Sequence, residues 1–445
     1  MKKIGIIGAG PSGILAALFL DKKQFDYEIL EAASHVGGLS STIVEDGYTF
    51  DYGPHIMFSK NKEILDFMVK SLNNNVHTNK RNNKVFFKDR IVKYPFENDL
   101  KSLPIEDNFE CLMGFIDNPY QKKFAKPKNL KQWLLKNFGK GISEKYLIPY
   151  NEKVWNVPVE KLSMYWAERI PNPPREDIVK SSIGFETEGY LHQLYYQYPK
   201  KGGYQSIIEA WAKKVDKPLF NFKVARINKL PDGKIEVIAE DGQKKVYDEI
   251  ISTIPIHDLV KVSQFNIPDK IKTAVSKLII NPMYLVNFGV KSIDRNLYLA
   301  MYFPDKDFLV NRLSYPSTFS PNNVPVGHHS LQAEITCRPN SQTWKMSDKE
   351  ILKHVKIGLQ SRNLLPTDDK IAYEKVVRVN HAYVVYDVGF EKNAEIARDW
   401  FPEQGVHLLG RFSHFEYINV DMVVDSAQKI ISNINGRKIN CLEYL

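Results

Sequence analysis

Cysteine is scarce in this chain: 3 among 445 residues, at Cys111, Cys337 and Cys441. So few, so far apart, exclude a disulfide scaffold and a cysteine metal knot, and they suit a reducing, cytoplasmic setting. No apolar run reaches the roughly 18–20 residues of a membrane-crossing helix, so no membrane span is expected. The chain does not open on a secretory leader either, because Lys2 and Lys3 run straight into a short strand. Low-complexity tracts and internal repeats are missing. So are a dense basic arm and any nucleic-acid motif, and no nucleic-acid partner is expected. No Ser-His-Asp set, metal-ligand cluster or evident protein nucleophile can be read, and the metal expectation is none. What is plentiful is apolar: 43% hydrophobic and 12% aromatic residues, ample for a large core in two or three structural units. The net charge of +9 suits anionic ligands, and equally a lysine-rich soluble surface.

The first thirty residues carry the strongest pattern. Lys3-Ile4-Gly5-Ile6-Ile7 reads as a buried strand, and Gly8-Ala9-Gly10-Pro11-Ser12-Gly13 follows it. Then come an apolar helix, Ile14–Leu20, and a second strand, Tyr27–Leu30, ending in Glu31. This is G-x-G-x-x-G in its full setting: a strand before, a helix after, and an acid about 20 residues on. Gly8 allows the tight turn, Gly10 lets backbone approach a pyrophosphate, and Gly13 lets helix pack on strand. The helix start at Pro11, from Ser12 onward, offers free N–H groups and a positive dipole end to phosphates. Glu31 can accept hydrogen bonds from a ribose diol. The chain then passes into Gly37-Gly38-Leu39-Ser40-Ser41-Thr42. A nicotinamide enzyme has no need of that second glycine pair. An FAD does, since its pyrophosphate and ribityl chain run past the first nucleotide half. Gly38, Leu39 and Ser41 join the cofactor set, as does Val224 in the strand read over Asn221–Asn228.

The fold expectation is α/β: a discontinuous Rossmann-like FAD-binding domain with a helical insertion and an antiparallel-sheet substrate domain. Residues 1–60, 200–260 and 400–445 are assigned to the first. Residues 61–199 read as a mostly helical substrate-binding insertion, with helices at Lys62–Leu72, Asn129–Phe138 and Ile142–Tyr150. Residues 261–399 read as a mixed sheet and helix substrate domain. Its strands are Met283–Val290, Leu297–Phe303 and His329–Thr336, and its helix is Asp348–Ser361. Two turns, Pro231-Asp232-Gly233 and Glu240-Asp241-Gly242, predict consecutive hairpins. Asp248–Pro255 and Val406–Arg411 read as strands that return to the cofactor, and Asp421–Asn433 as the terminal helix.

Six further segments, in order, carry a resemblance. They are Asp51-Tyr52-Gly53-Pro54-His55, Tyr94-Pro95-Phe96, Pro149-Tyr150-Asn151-Glu152-Lys153-Val154-Trp155-Asn156-Val157-Pro158, Trp166-Ala167-Glu168-Arg169, Tyr302-Phe303-Pro304-Asp305 with Arg312, and Gly410-Arg411-Phe412 with Tyr417. Together with the glycine pair after Glu31, they resemble the UDP-galactopyranose mutase family, a branch of the FAD-binding amine oxidase and protoporphyrinogen oxidase superfamily. The resemblance implies that His55 lies against the flavin and that Gly410, Arg411 and Tyr417 serve the cofactor. It makes Arg169 and Arg312 the diphosphate arginines, counted with His55 as the catalytic set. Tyr94, Phe96, Asn151, Trp155, Tyr302, Tyr383 and Tyr417 complete the nucleotide-sugar pocket. Two arginines from distant segments suit a diphosphate, because charge-assisted forks bind it well.

The implied activity interconverts the pyranose and furanose forms of UDP-galactose or a related sugar, an isomerase reaction with no net redox. In it, N5 of reduced FAD attacks the anomeric carbon and expels UDP. NADH or NADPH is a plausible electron donor, though no second nucleotide fingerprint is present. Galactofuranose for glycan biosynthesis is the implied product, and a UDP-sugar the implied partner. Self-assembly is left open. Three positions depart from the family pattern: Phe319 where tyrosine is common, Glu97 where glutamine is usual, and Asn419 near an expected acid. They bear on which sugar and base are taken. Two alternatives stand beside this reading. One is an FAD-dependent oxidase or desaturase acting on an amine, porphyrinogen or polyene. The other is a non-catalytic binding protein.

Overall fold

The computed structural model describes residues 1–188, 194–292 and 298–445. Leu297, the predicted start of one strand, lies outside the described residues.

The opening pattern folds as its spacing demands. Lys2–Ile7 is a strand, buried from Ile4 onward, and Pro11–Phe19 is a helix with only Pro11 not buried. Four parallel strands line up in the order Val406–Leu408, Glu249–Ser252, Lys2–Ile7, Phe25–Leu30. Strands covered on both faces are apolar along their length rather than alternating, and Ile250 and Ile251 beside Ile4 and Ile6 follow that rule. The sheet thus draws its strands from the start, middle and end of the chain. The helix Pro11–Phe19 packs between Gln205–Ala212 and the terminal helix Val420–Asn435. Ile14, Leu15, Phe19, Trp211, Val424 and Ile431 meet there in one core. Each fully buried Leu, Ile or Phe contributes about 1.5–3 kcal/mol relative to exposure, so this layer fixes the helix start that faces the cavity.

The two predicted hairpins form a three-stranded antiparallel sheet of Val224–Lys229, Ile235–Ala239 and Lys244–Tyr247. The second large layer has seven strands, in the order Ile371–Val385, Ile279–Val290, His329–Thr336, Arg312–Ser314, Ala300–Tyr302, Asn83–Phe87, Arg90–Lys93. Its neighbours are antiparallel except Ala300–Tyr302 against Asn83–Phe87, which run parallel. Asn281, fully buried on the long central strand, donates to Trp155 O (2.7 Å) and ties the helical segment to the sheet.

The reading of 61–199 as mostly helical needs correction in two places. Asn83–Phe87 and Arg90–Lys93 are strands of the large sheet, and Val76–Lys80 pairs with Tyr195–Pro199. The alternation in Lys84-Val85-Phe86-Phe87 and Arg90-Ile91-Val92-Lys93 was the available signal. It was masked because Lys88 and Asp89 make the turn at positive φ, 47° and 60°, without the Asn-Gly or Asp-Gly pair that marks such turns. The helix read at Ile142–Tyr150 is instead a π-helical stretch, Ser143–Leu147, that leads into an α-helix at Ile148–Trp155. The strand read at Val406–Arg411 stops at Leu408, and Gly410 turns the chain at φ 99°.

Candidate active site

One cavity of about 1080 Å³ is lined at once by the glycine turn, the His55 loop, the edge of the large sheet and the start of the terminal helix. Its cofactor end is built from backbone. Gly8 sits at φ 104°, and a Cβ on Gly13 would lie 1.8 Å from Gly8 O, so neither position takes a side chain. Gly10 is different. Its φ is −72°, and a Cβ there would meet only ordinary contacts, the nearest Gly37 O at 3.8 Å. Protein packing does not demand glycine at 10, yet Gly10 lines the cavity, and a ligand brought against it is what a side chain would block. The helix beyond it starts on Pro11 with no side-chain cap, which leaves its first N–H groups to a ligand. Glu31 accepts from Ala9 N (2.5 Å) and Ala33 N (2.8 Å), and Gly37 N donates to Ala9 O (3.0 Å), so the two glycine loops are locked together. Gly8, Gly10, Pro11, Ser12, Glu31, Gly38 and Leu39 all line the cavity. Gly13 and Gly410 shape it from behind; Gly410 stands so close to Ser12 that a Cβ would lie 2.2 Å from its Oγ. Ser41 is buried with its Oγ unpartnered among the described residues. Val224 starts its strand just past the Leu219–Phe222 stretch that bonds to Ile29 and Glu31, and it does not line the cavity.

In the middle sits His55. Its ring lies 5.3 Å from the buried Tyr204 ring, and its Nδ1 has no hydrogen-bond partner among the described residues. Burial, together with Arg411 and Arg312 nearby, lowers its pKa to about 3, so the imidazole is neutral at physiological pH. Tyr204 is held in turn by Asp51, whose Oδ1 accepts from Tyr204 N (2.9 Å) and Thr42 Oγ1 (2.6 Å) and whose Oδ2 accepts from Tyr198 Oη (2.6 Å). Burial raises the Asp51 pKa to about 6, against those three hydrogen bonds. Arg411 lies with its guanidinium carbon 4.0 Å from the Tyr417 ring centre, and its buried Nε has no partner among the described residues. Two unpartnered buried nitrogens on residues that line one cavity are a cost that a bound ligand or a small shift of the side chains would relieve.

The far end is made of side chains. Arg312 is gripped by Glu334: Nε donates to Oε1 (2.6 Å) and Nη2 to Oε2 (2.7 Å). Arg312 Nη2 also reaches Tyr383 Oη (3.1 Å), which donates to Glu334 Oε2 (3.2 Å). Burial opposes the charge on Arg312, but Glu334 and Tyr383 outweigh it and hold the guanidinium charged. One edge of the fork is therefore occupied, and Nη1 remains for the cavity. Tyr302 Oη accepts from Asn83 Nδ2 (3.1 Å), which leaves the tyrosine proton to be donated elsewhere. Tyr94 packs on Tyr302 at 5.0 Å. Arg169 lies over the Trp166 and Tyr417 rings and donates to Tyr417 O. Five arginines, Arg81, Arg169, Arg312, Arg378 and Arg411, line the cavity, along with the carboxylates of Glu31, Glu168, Asp421 and Asp425; Glu334, fully buried behind it, is engaged by Arg312.

Tyr94, Arg169, Tyr302, Arg312, Arg411 and Tyr417 line the cavity as the sequence reading placed them; Phe96, Asn151, Trp155 and Tyr383 do not. Phe96 is fully buried, stacked on Tyr146 at 4.9 Å. Asn151 closes a local bond to Leu147 O (2.7 Å) and accepts from Trp155 Nε1 (3.3 Å). Trp155 and Tyr383 form the aromatic layer behind Tyr417, with ring centres 5.9 and 5.8 Å from it. Phe319 is buried between Tyr196 and Tyr198, away from the cavity, so its departure from the family pattern costs the site no hydroxyl. Asn419 does line the cavity, at the N-cap position of the terminal helix, where its side chain makes no capping bond. Glu97 is buried behind the Tyr94 wall with Oε1 unpartnered among the described residues, and burial raises its pKa to about 8. The residues that sequence reasoning missed are Glu334, Asp51, Asn83 and Tyr204. A signal for Glu334 existed: it is the single acid in the wholly buried strand His329–Thr336, and a lone acid there needs a cationic partner.

The family model described as flavin containing amine oxidoreductase matches residues 11–427. The chain belongs to that family. Within it, the chain is similar to the UDP-galactopyranose mutases. A crystal structure of a reduced UDP-galactopyranose mutase superposes with a TM-score of 0.89 at 26% identity, covering 98% of this chain and 96% of that one. The UDP-galactopyranose mutase of Mycoplasma pneumoniae is 27% identical over 240 residues, 49% of this chain and 53% of that protein. The chain spans about half the length of the curated mutases it matches. A putative protoporphyrinogen oxidase from Exiguobacterium superposes at TM-score 0.76 with 18% identity over 98% of both chains, and shares the fold. FAD fits the residues present. Gly10 keeps a side-chain space empty at a helix start with no side-chain cap, and Glu31 lines the cavity where it could meet a ribose. No group of three metal-ligating side chains occurs among the described residues, and no helix there is long and apolar enough to cross a membrane.

Proposed function

We propose that this protein is a flavin-dependent nucleotide-sugar mutase that interconverts the pyranose and furanose forms of UDP-galactose or a related nucleotide sugar. The observation that carries this reading is the lining of one cavity, which joins a glycine-built turn at a bare helix start, Arg169 and Arg312, and a neutral His55 near Arg312 and Arg411. FAD, when bound and reduced, supplies a nucleophilic ring nitrogen to the anomeric carbon, with electrons returned at the end of the cycle.

The chain does the rest. The start of the helix Pro11–Phe19 and Gly10 hold the cofactor pyrophosphate. Arg312 Nη1, Arg169 and the Tyr302 hydroxyl receive the sugar diphosphate and retain it while the glycosidic bond to it is broken and remade. A phosphate leaving group needs charge neutralised in place, and pre-set guanidinium groups give that without reorganisation. His55 stays unprotonated between two arginines, so it donates or accepts through one ring nitrogen without adding a further positive charge. NADH or NADPH is the proposed reductant class. A cytoplasmic setting is proposed from three buried cysteines that are all free.

The test is anaerobic incubation of dithionite-reduced protein with UDP-galactofuranose, resolved against UDP-galactopyranose. Conversion that requires the reduced flavin supports the proposal. A second reading, an oxidase, is favoured by the family description and by the fold shared with a putative protoporphyrinogen oxidase. Five arginines and four carboxylates along the cavity wall fit an apolar polyene poorly and give a cationic amine no excess of acid. Substrate-dependent hydrogen peroxide release by the oxidised protein is the result that would select it.

A further inference from the structure

Tyr302 and Arg312 face each other across one hairpin. They pair between the strands Ala300–Tyr302 and Arg312–Ser314, and residues 303–311 join them. Phe303 N donates to Asn311 O (3.1 Å) and closes the base of the turn. The tip is seated on the helix Asp348–Gln360. Phe308 is buried there with its ring 5.8 Å from that of His354, and a Cβ on Gly358 would lie 2.2 Å from Phe308. Leu309 N donates to His354 Nε2 (3.1 Å). The near side is held from the helix Ile148–Trp155, where Lys153 Nζ donates to Phe303 O (2.9 Å) and Asp305 O (2.8 Å). Three residues earlier on that helix, the Tyr150 ring meets the Tyr302 ring edge-on at 5.4 Å. Lys153 does not line the cavity, so it is not a ligand contact. An ammonium taken out of water for two backbone carbonyls is costly, and the mechanism above gives it no part.

We propose that Lys153 is a positioning residue for the diphosphate end: it clamps the turn between Tyr302 and Arg312 to the helical segment and so sets how both side chains are presented to the phosphates. The inference rests on the nucleotide-sugar reading. Three paired positions hold the two strands together, but they do not fix the tilt of the hairpin against the helix; the bonds from Lys153 do. Its charge sets how firmly. Bonds donated by an ammonium are roughly twice as strong as those of a neutral donor. Burial, against the Asp305 carboxylate and with Arg362, lowers the Lys153 pKa to about 7. The groups around it are Asp305, raised by burial; Arg362, whose Nη2 lies 3.7 Å from Asp305 Oδ2; and His354, lowered by burial, Lys153 and Arg362. The clamp is therefore firm on the acid side and loosens as pH rises through about 7.

Calorimetric titration of the flavin-loaded full chain with UDP tests this. Lys153→Met keeps the reach of the side chain and drops its charge and donors. It should keep the flavin spectrum and bind UDP about 10-fold more weakly than wild type near pH 6, the size of one charge-assisted hydrogen bond. The ratio of the two Kd values, in which the ionisation of UDP itself cancels, should shrink toward one as pH rises through about 7. Lys153→Arg keeps the charge, so it should bind as wild type does near pH 6 and outdo wild type above pH 8. If Lys153→Met does not hold flavin, the comparison with Lys153→Arg decides by the same pH trend. A lysine that is merely structural would shift the melting temperature and leave the ratio of Kd values the same at every pH. That constant ratio, or equal affinities near pH 6, overturns the proposal and leaves the nucleotide-sugar reading standing. A wild type that binds no UDP overturns both.

Discussion

The proposed cofactor end of the cavity is made of backbone and the proposed diphosphate end of side chains. At the first stand glycines at 8, 10 and 13 and a bare helix start, all within one short stretch of chain. At the second, Tyr94, Arg169, Tyr302, Arg312 and Arg411 converge from five segments and are steered by Glu334, Asn83 and the Tyr383–Tyr417 layer. A backbone site has no conservative substitution, because the space itself is the binding group. A side-chain site degrades in steps, each set by how firmly a neighbour holds the group in question.

The contrast can be broken at either end. The largest effect is expected from Gly13→Ala, whose Cβ would lie 1.8 Å from Gly8 O. Overpacking against backbone costs about 1–3 kcal/mol or more, and the turn must move. Protein purified with no flavin absorbance, and melting lower, is the expected result. Arg312→Ala comes next. It should retain the flavin spectrum and lose on the order of 100-fold or more in turnover, as loss of a pre-set charge donor does. Loss of flavin would show that the two ends are not separable.

Glu334→Gln keeps the shape and removes the charge that fixes Arg312. A fall of about 10-fold in kcat/KM, carried mainly by KM, is expected from a misplaced but intact arginine. An unchanged KM would mean that Glu334 merely fills the strand. A smaller effect is expected at Glu97, and its sign follows from the raised pKa. The unfolded carboxyl ionises near 4.5 and the folded one near 8, so its stabilising contribution is full below pH 4.5 and is lost as pH rises through about 8. Glu97→Gln should therefore raise the melting temperature by a few degrees above about pH 8 and change it little near pH 5. The smallest signal is the titration of His55. With its folded pKa about 3, its ring resonances should stay those of neutral imidazole from about pH 5 upward, and the native state should lose stability as pH falls from 6.5 toward 3.

How much was legible in the sequence divides along the same line. The glycine turn, its helix and Glu31 were readable because one short segment specifies them and spacing alone fixes the geometry. Arg169, Arg312 and Tyr302 were reachable only through a resemblance, since nothing local says that residues 169, 302 and 312 share a cavity. The same resemblance placed Phe96, Asn151, Trp155 and Tyr383 in the pocket, and the structure sets all four in the core beside the cavity rather than in its lining. An aromatic in a pocket wall and one in the layer behind it have the same periodicity and hydropathy, so no pattern separates them. Glu334 was legible in principle, as an acid in an apolar strand, but its partner lies 22 residues away and only the strand pairing shows it. The hairpin of residues 83–93 was missed because its turn uses lysine and aspartate at positive φ, where glycine would have announced it.

The most direct test of the central claim, one cavity with separable flavin and diphosphate ends, pairs two readings on the same samples. Flavin content and anaerobic interconversion of UDP-galactofuranose and UDP-galactopyranose are measured for wild type and for Arg312→Ala, reduced and oxidised. The account predicts that both proteins hold flavin, that only reduced wild type converts the sugar, and that Arg312→Ala converts about 100-fold more slowly or not at all. Conversion by oxidised wild type, or an Arg312→Ala protein that has lost its flavin, would contradict it.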